Sequence, residues 1–275
     1  MKIDIARQPL VPAFMTLFAL AVAAMCAGIP VSDTSGAVRD ALPLLGGQLA
    51  RFQAAYPVWS KFAAGFMLLF TGMCAGRITI RYNLYTVGTC LPIPLYAIVA
   101  CGIATGGNYL AGFAASMLLA LATKNYCRAF CNGYGFDAIF RASLYLGLMP
   151  LVYAPALPLL LLLPLAVLLF RRTLREVAVA TAGLLLPVFT ACYVSWGTGA
   201  EFTAPLIKLG QSAIEGMPMH LFLDIPLPAL VMAGGIVLLD LTALFFFLAD
   251  IYAAGTKPRF ILFYNIGILI LTLAV

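Results

Sequence analysis

The side chains able to do chemistry in this sequence are few. The 275 residues include 10 Asp and Glu, 16 Lys and Arg and a single histidine. Asp33 and Asp40 follow the first long apolar run and are the candidate catalytic carboxylates. A carboxylate in that position can act as general base toward a sugar hydroxyl, or hold a divalent cation that neutralises a pyrophosphate. Arg39 and Arg51, on either side of Asp40, are candidate substrate-binding cations. His220, in Met217-Pro218-Met219-His220-Leu221, can shuttle a proton or bind phosphate. Each has a purely structural alternative. Ser32-Asp33-Thr34-Ser35 has helix N-cap chemistry, Asp40 can pair with Arg39 or Arg51, and a lone histidine can simply occupy an interface.

Asp240 is different in kind, because it stands inside the apolar stretch Gly235-Ile236-Val237-Leu238-Leu239-Asp240-Leu241-Thr242. A charge there costs several kcal/mol unless it is paired, protonated or wetted. Asp240 is therefore a candidate for a proton or cation relay, or a neutral acid hydrogen-bonded to a neighbouring helix. Motifs of soluble enzymes are absent: no phosphate loop, no H-E-x-x-H and no G-x-S-x-G occurs. Seven cysteines lie mostly within apolar runs, where Cys behaves as a small hydrophobe. Cys127 and Cys131 share a face if helical, but the histidine lies far from them along the chain, which argues against a zinc site.

The elements that must position these groups are written in the composition. Apolar residues make up 64% of the chain and charged ones 9%, against about 25% charged in soluble domains. Mean hydropathy is +1.05. Apolar runs exceed the roughly 18 residues a membrane helix needs, and lipid forces each to satisfy its own backbone groups. Blocks such as Leu159 to Phe170 lack the alternation a β-barrel requires. The expected fold is all-α, a polytopic transmembrane helical bundle forming one domain over 1–275 and embedded among membrane lipids. The net charge of +6 has no basic cluster to bind nucleic acid.

Leu10 to Ile29 behind Lys2 and Arg7 reads as a first transmembrane helix rather than a cleaved signal. Further spans are expected at Phe62–Ala75, Leu84–Ile103, Tyr109–Thr123, Ala142–Phe170, Val177–Trp196, Pro226–Leu248 and Phe260–Val275. The span 142–170 carries Pro150, Pro155, Pro158 and Pro164, with Lys124, Arg128 and Arg141 before it and Arg171, Arg172 and Arg175 after it. The positive-inside rule puts both ends in the cytoplasm, so the span must be a hairpin of two short helices turning near Tyr153-Ala154-Pro155. That gives about nine crossings with a cytoplasmic N-terminus. It also puts the loops 31–57 and 197–225 outside. Leu42, Leu45, Leu49 and Phe52 in one, and Leu206, Leu209 and Ala213 in the other, form stripes expected to lie flat in the outer interface. Gly210 weakens the second. Thr173-Leu174-Arg175-Glu176 reads as a capping box.

The block Phe140-Arg141-Ala142-Ser143-Leu144-Tyr145-Leu146-Gly147-Leu148, then Tyr153-Ala154-Pro155, Leu159 to Phe170 and Arg171-Arg172, resembles the GT-C class of polyprenyl-phosphate-sugar-dependent glycosyltransferases. It is also similar to a family of bacterial multi-pass inner-membrane proteins of about this length. The resemblance covers residues 140–196 and elsewhere only the layout. It implies a bacterial inner-membrane protein that transfers or handles lipid-linked sugars for cell-envelope glycans, with Asp33 or Asp40 in the place of the class's acidic residues. The adjacent acidic pair typical of the class is missing here. A proton-coupled transporter or lipid flippase using Asp240, and a non-catalytic scaffold subunit with membrane protein partners, are the alternatives.

Overall fold

In the computed structural model the described residues are 10–26, 44–81, 90, 92–103, 109–131, 135–170, 173–215, 256–273 and isolated positions between 231 and 245. Every regular element among them is helical. They are α1 (Leu10–Cys26), α2 (Leu44–Ala55), α3 (Pro57–Arg81), α4 (Pro92–Ile103), α5 (Tyr109–Cys131), α6 (Phe136–Val152), a 3-10 segment (Ala154–Leu161), α7 (Leu162–Phe170), α8 (Leu174–Gly197), α9 (Ala204–Glu215) and α10 (Thr256–Leu273). Among these, α3 over Pro57–Ile78 and α8 over Leu174–Gly197 are long and apolar enough to cross a membrane.

The successive helices α1, α3, α4 and α5 alternate in direction. A β-carbon on Gly65 of α3 would meet Met25, and one on Gly72 would meet Leu17, so α1 and α3 run antiparallel. The Gly76 position faces Ile93 while Gly72 also faces Tyr96, so α4 is antiparallel to α3 as well. At the other end of α3 the Ser60 hydroxyl bonds that of Tyr109, which starts α5. Leu17, Leu68, Ile93 and Leu110 are fully buried between these four helices.

The second half packs around α6, whose Ala142, Leu146 and Met149 are buried where α5, the 3-10 segment and α8 pack on it. The expected turn is observed at Tyr153, whose extended backbone ends α6. The expected boundaries need correction. The outgoing arm begins at Phe136, not near Ala142, and the return begins as a 3-10 segment before becoming the nine-residue helix α7. Pro155 and Pro158 explain this. Neither can donate a backbone hydrogen bond, so the tighter winding persists until Leu162. Because α7 leads back, α6 and α8 run parallel: Phe140 and Ser143 lie beside Gly183, and Gly147 beside Leu184.

Candidate functional site

Both stretches expected as amphipathic helices fold as helices, and they lie at the same end of the bundle. α9 packs on the 3-10 segment, on α8 and on α2, while α2 packs on α3, α5 and α6. The Tyr153 turn, the start of α3, the start of α5 and the end of α8 are therefore gathered beneath a two-helix roof. Opposite ends of the same helices carry Arg77, Lys124, Arg128, Arg141 and Arg175. Arg141 there pairs with Asp137 at 2.8 Å, one helical turn away and in the open.

The faces of the roof differ from the sequence pattern. α2 turns Leu45, Gly46, Leu49 and Gln53 inward and leaves Phe52 exposed beside Tyr56, ring centres 5.7 Å apart. The buried Gln53 explains that rotation, because its Oε1 accepts the Leu110 N–H at 3.4 Å, an amide in the first turn of α5 that has no intrahelical acceptor. α9 is a full helix despite Gly210, whose position meets nothing within 4 Å. It buries Pro205, Leu209 and Ser212 and leaves Leu206, Ile207 and Lys208 exposed. Packing of Leu209 and Ser212 on the bundle outweighs the propensity lost at one glycine, which is about 1 kcal/mol.

Of the candidate chemical residues, the structure describes Arg51, exposed on α2. Asp33, Arg39, Asp40, His220 and Asp240 lie outside the described residues, as does the expected 226–248 span apart from isolated helical positions. Cys127 is buried within α5, and the side chain of Cys131 is likewise outside the description. No group of three His, Cys, Asp or Glu side chains suited to a metal occurs among the described residues.

At the basic end the structure assembles a cluster that sequence reasoning missed. The Tyr126 and Ser143 hydroxyls bond at 3.0 Å, both residues being buried. Tyr264 of α10 sets its ring edge-on to Tyr126 at 5.7 Å and to Phe130 at 5.8 Å. No family model, curated protein or solved structure matches this chain. The cluster must therefore be read from its own geometry. A cavity of about 10 Å³ between Tyr126, Phe130, Ile139, Ala166, Glu176 and Ala180 has room for about one water. Glu176 is 3% exposed. Its carboxylate accepts the Thr173 N–H at 3.1 Å while its own N–H donates to the Thr173 hydroxyl at 3.4 Å. The capping box expected from the sequence is present, and it occupies this acid structurally. A signal that could have found the rest is a tyrosine in each of two apolar helices, Tyr126 and Tyr264, since a buried tyrosine needs a partner.

Proposed function

We propose that this chain is a multi-pass bacterial inner-membrane protein whose roofed end, made by α2, α9 and the Tyr153 turn, is an extracytoplasmic face that handles a lipid-linked sugar for envelope glycan synthesis. The observation that carries the proposal is the gathering of both connector helices and the proline turn at one end, with the arginine-bearing helix ends at the other. The positive-inside rule turns that polarity into an orientation. Alternating directions of α1, α3, α4, α5, α6, the 3-10/α7 arm, α8 and α10 fit nine crossings once residues 226–248 supply the remaining one. The sugar chemistry rests on the likeness of residues 140–196 to the GT-C class. Asp33 and Asp40 stand in sequence between α1 and α2, and either would serve there as a general base or a cation-binding carboxylate.

Two measurements test this. In a cysteine-free background, cysteines at the exposed positions Arg51 and Gln211 label with an impermeant maleimide from the outer side, and cysteines at Arg141 and Arg175 do not. Ser212 is unsuitable as a reporter because it is buried. Loss of an envelope glycan on deletion, not restored by the Asp33→Asn/Asp40→Asn variant at wild-type abundance, supports catalysis. Full restoration rules those carboxylates out, and labelling from the wrong side removes the orientation.

A further inference from the structure

Among the described residues exposed aromatic rings occur along the helices, but the tryptophans share one end. The sequence contains two tryptophans, Trp59 and Trp196. Trp59 is in the first turn of α3 and is 68% exposed, and Trp196 is in the last turn of α8 and is 61% exposed. The helices run in opposite directions along the bundle, yet both tryptophans reach the roofed end. Each has aromatic company: Phe62 lies 6.3 Å from Trp59 and Tyr193 lies 6.0 Å from Trp196, both exposed. Large amphipathic rings held out into the surroundings fit a membrane headgroup layer, where an apolar body and a polar N–H or O–H are both satisfied.

Helix lengths supply an independent measure. Trp59 and Arg77 on α3 are separated by 18 residues, about 27 Å at about 1.5 Å per residue. Arg175 and Trp196 on α8 are separated by 21 residues, about 31 Å. Both intervals match the roughly 30 Å hydrocarbon core of a bilayer. Between the two marks α8 exposes Leu185, Leu186, Phe189 and Val194, and α3 exposes Phe66, Phe70 and Met73. Two helices of opposite direction thus carry the same gauge: an exposed aromatic at the roofed end and an exposed arginine one bilayer thickness away.

We infer that Trp59 and Trp196 mark one headgroup plane, and that the partner of the exposed face of α9 is that same lipid surface. The turn after α8 keeps the helix close to the plane: Gly199, at φ +86°, redirects the chain within a few residues of Trp196. Leu206 and Ile207 then face outward beside Lys208, so apolar side chains can enter the acyl boundary while the ammonium meets phosphate. Phe202, edge-on to Phe189 at 5.9 Å, joins this face to the apolar surface of α8. This inference rests on the membrane-spanning reading above and adds its depth and its lipid contact.

The test uses Trp59→Phe and Trp196→Phe, each leaving one fluorophore, in phosphatidylcholine vesicles brominated either near the headgroup or deep in the acyl chain. Both variants should be quenched more by the shallow than by the deep bromines, by about the same ratio. In a third preparation, on the Trp59→Phe background, Ile207→Asp should weaken shallow quenching of Trp196. Deep quenching of either tryptophan, or strong acrylamide quenching without bromine quenching, overturns the common plane. Unchanged quenching in the Ile207→Asp protein overturns the lipid contact of α9. Shallow quenching combined with cytoplasmic labelling at Gln211 would instead leave the plane standing and remove the proposed orientation.

Discussion

Gly147 of α6 and Leu184 of α8 meet through their backbones, and a β-carbon on Gly147 would overlap the Leu184 carbonyl oxygen. One turn along, a β-carbon on Gly183 would lie 2.8 Å from the Phe140 carbonyl and 3.2 Å from the Ser143 side chain. Within the bilayer proposed above, helices gain little from hydrophobic association with each other, so close approach through small residues becomes a main source of cohesion. Here it fixes the two parallel helices on either side of the hairpin return.

Gly147→Ala should therefore destabilise the protein by about 1–3 kcal/mol, the cost of overpacking a site whose obstacle is backbone and cannot rotate away. Gly112→Ala is the control. Its position meets nothing within 4 Å, and replacement should be neutral or stabilising by up to about 1 kcal/mol through helix propensity. Thermal unfolding of both variants in detergent decides it. Equal effects would mean the α6–α8 contact does not hold the bundle.

The tyrosine cluster separates two hydroxyls with opposite consequences. Tyr264 is 0% exposed and its hydroxyl has no hydrogen-bond partner among the described residues. Tyr264→Phe removes a desolvated group that returns nothing and should be neutral or stabilising. Tyr126→Phe strands the buried Ser143 hydroxyl and should cost about 1 kcal/mol. Tyr264→Ala should cost about 3–5 kcal/mol through the cavity it leaves. Unfolding midpoints check the order, and a large loss in Tyr264→Phe would reveal a partner beyond the described residues.

Thr173→Ala removes the acceptor for the Glu176 N–H and should lower stability by about 1 kcal/mol, with Thr173→Asp recovering most of it. Amide exchange localises the loss. It should rise in the first turn of α8 and stay unchanged at the Trp196 end.

These features differ in how readily they could be read from the residues alone. The Tyr153 turn was legible because prolines interrupt a run too long for one crossing and arginines bracket it. The capping box was legible because it is local. The α6–α8 contact was not, although Ser143 and Gly147 stand four residues apart as small residues do at membrane-helix interfaces. Their spacing names a face but not the helix that meets it. The inward turn of Gln53 was hidden for a similar reason: its partner is the amide of Leu110, 57 residues away. Apolar periodicity alone puts Phe52 on one stripe with Leu45 and Leu49. On α9 the expected stripe is split, with Leu209 buried against the bundle and Leu206 exposed beside Ile207.

The roof offers the last prediction. Gln53 ties α2 to the first turn of α5 by a side-chain bond, and Leu45 and Leu49 of α2 also pack on the bundle. Gln53→Leu keeps the apolar contact and removes the acceptor, leaving the Leu110 amide without it at a cost of about 1 kcal/mol. Local opening of α2 should become about 5-fold more frequent, which hydrogen exchange of its amides reads directly. Amides of α6 and α8 should not change, because those helices are held together by their own glycine contact. Uniform acceleration across all three helices would show that α2 is an integral part of the core and not a roof resting on it.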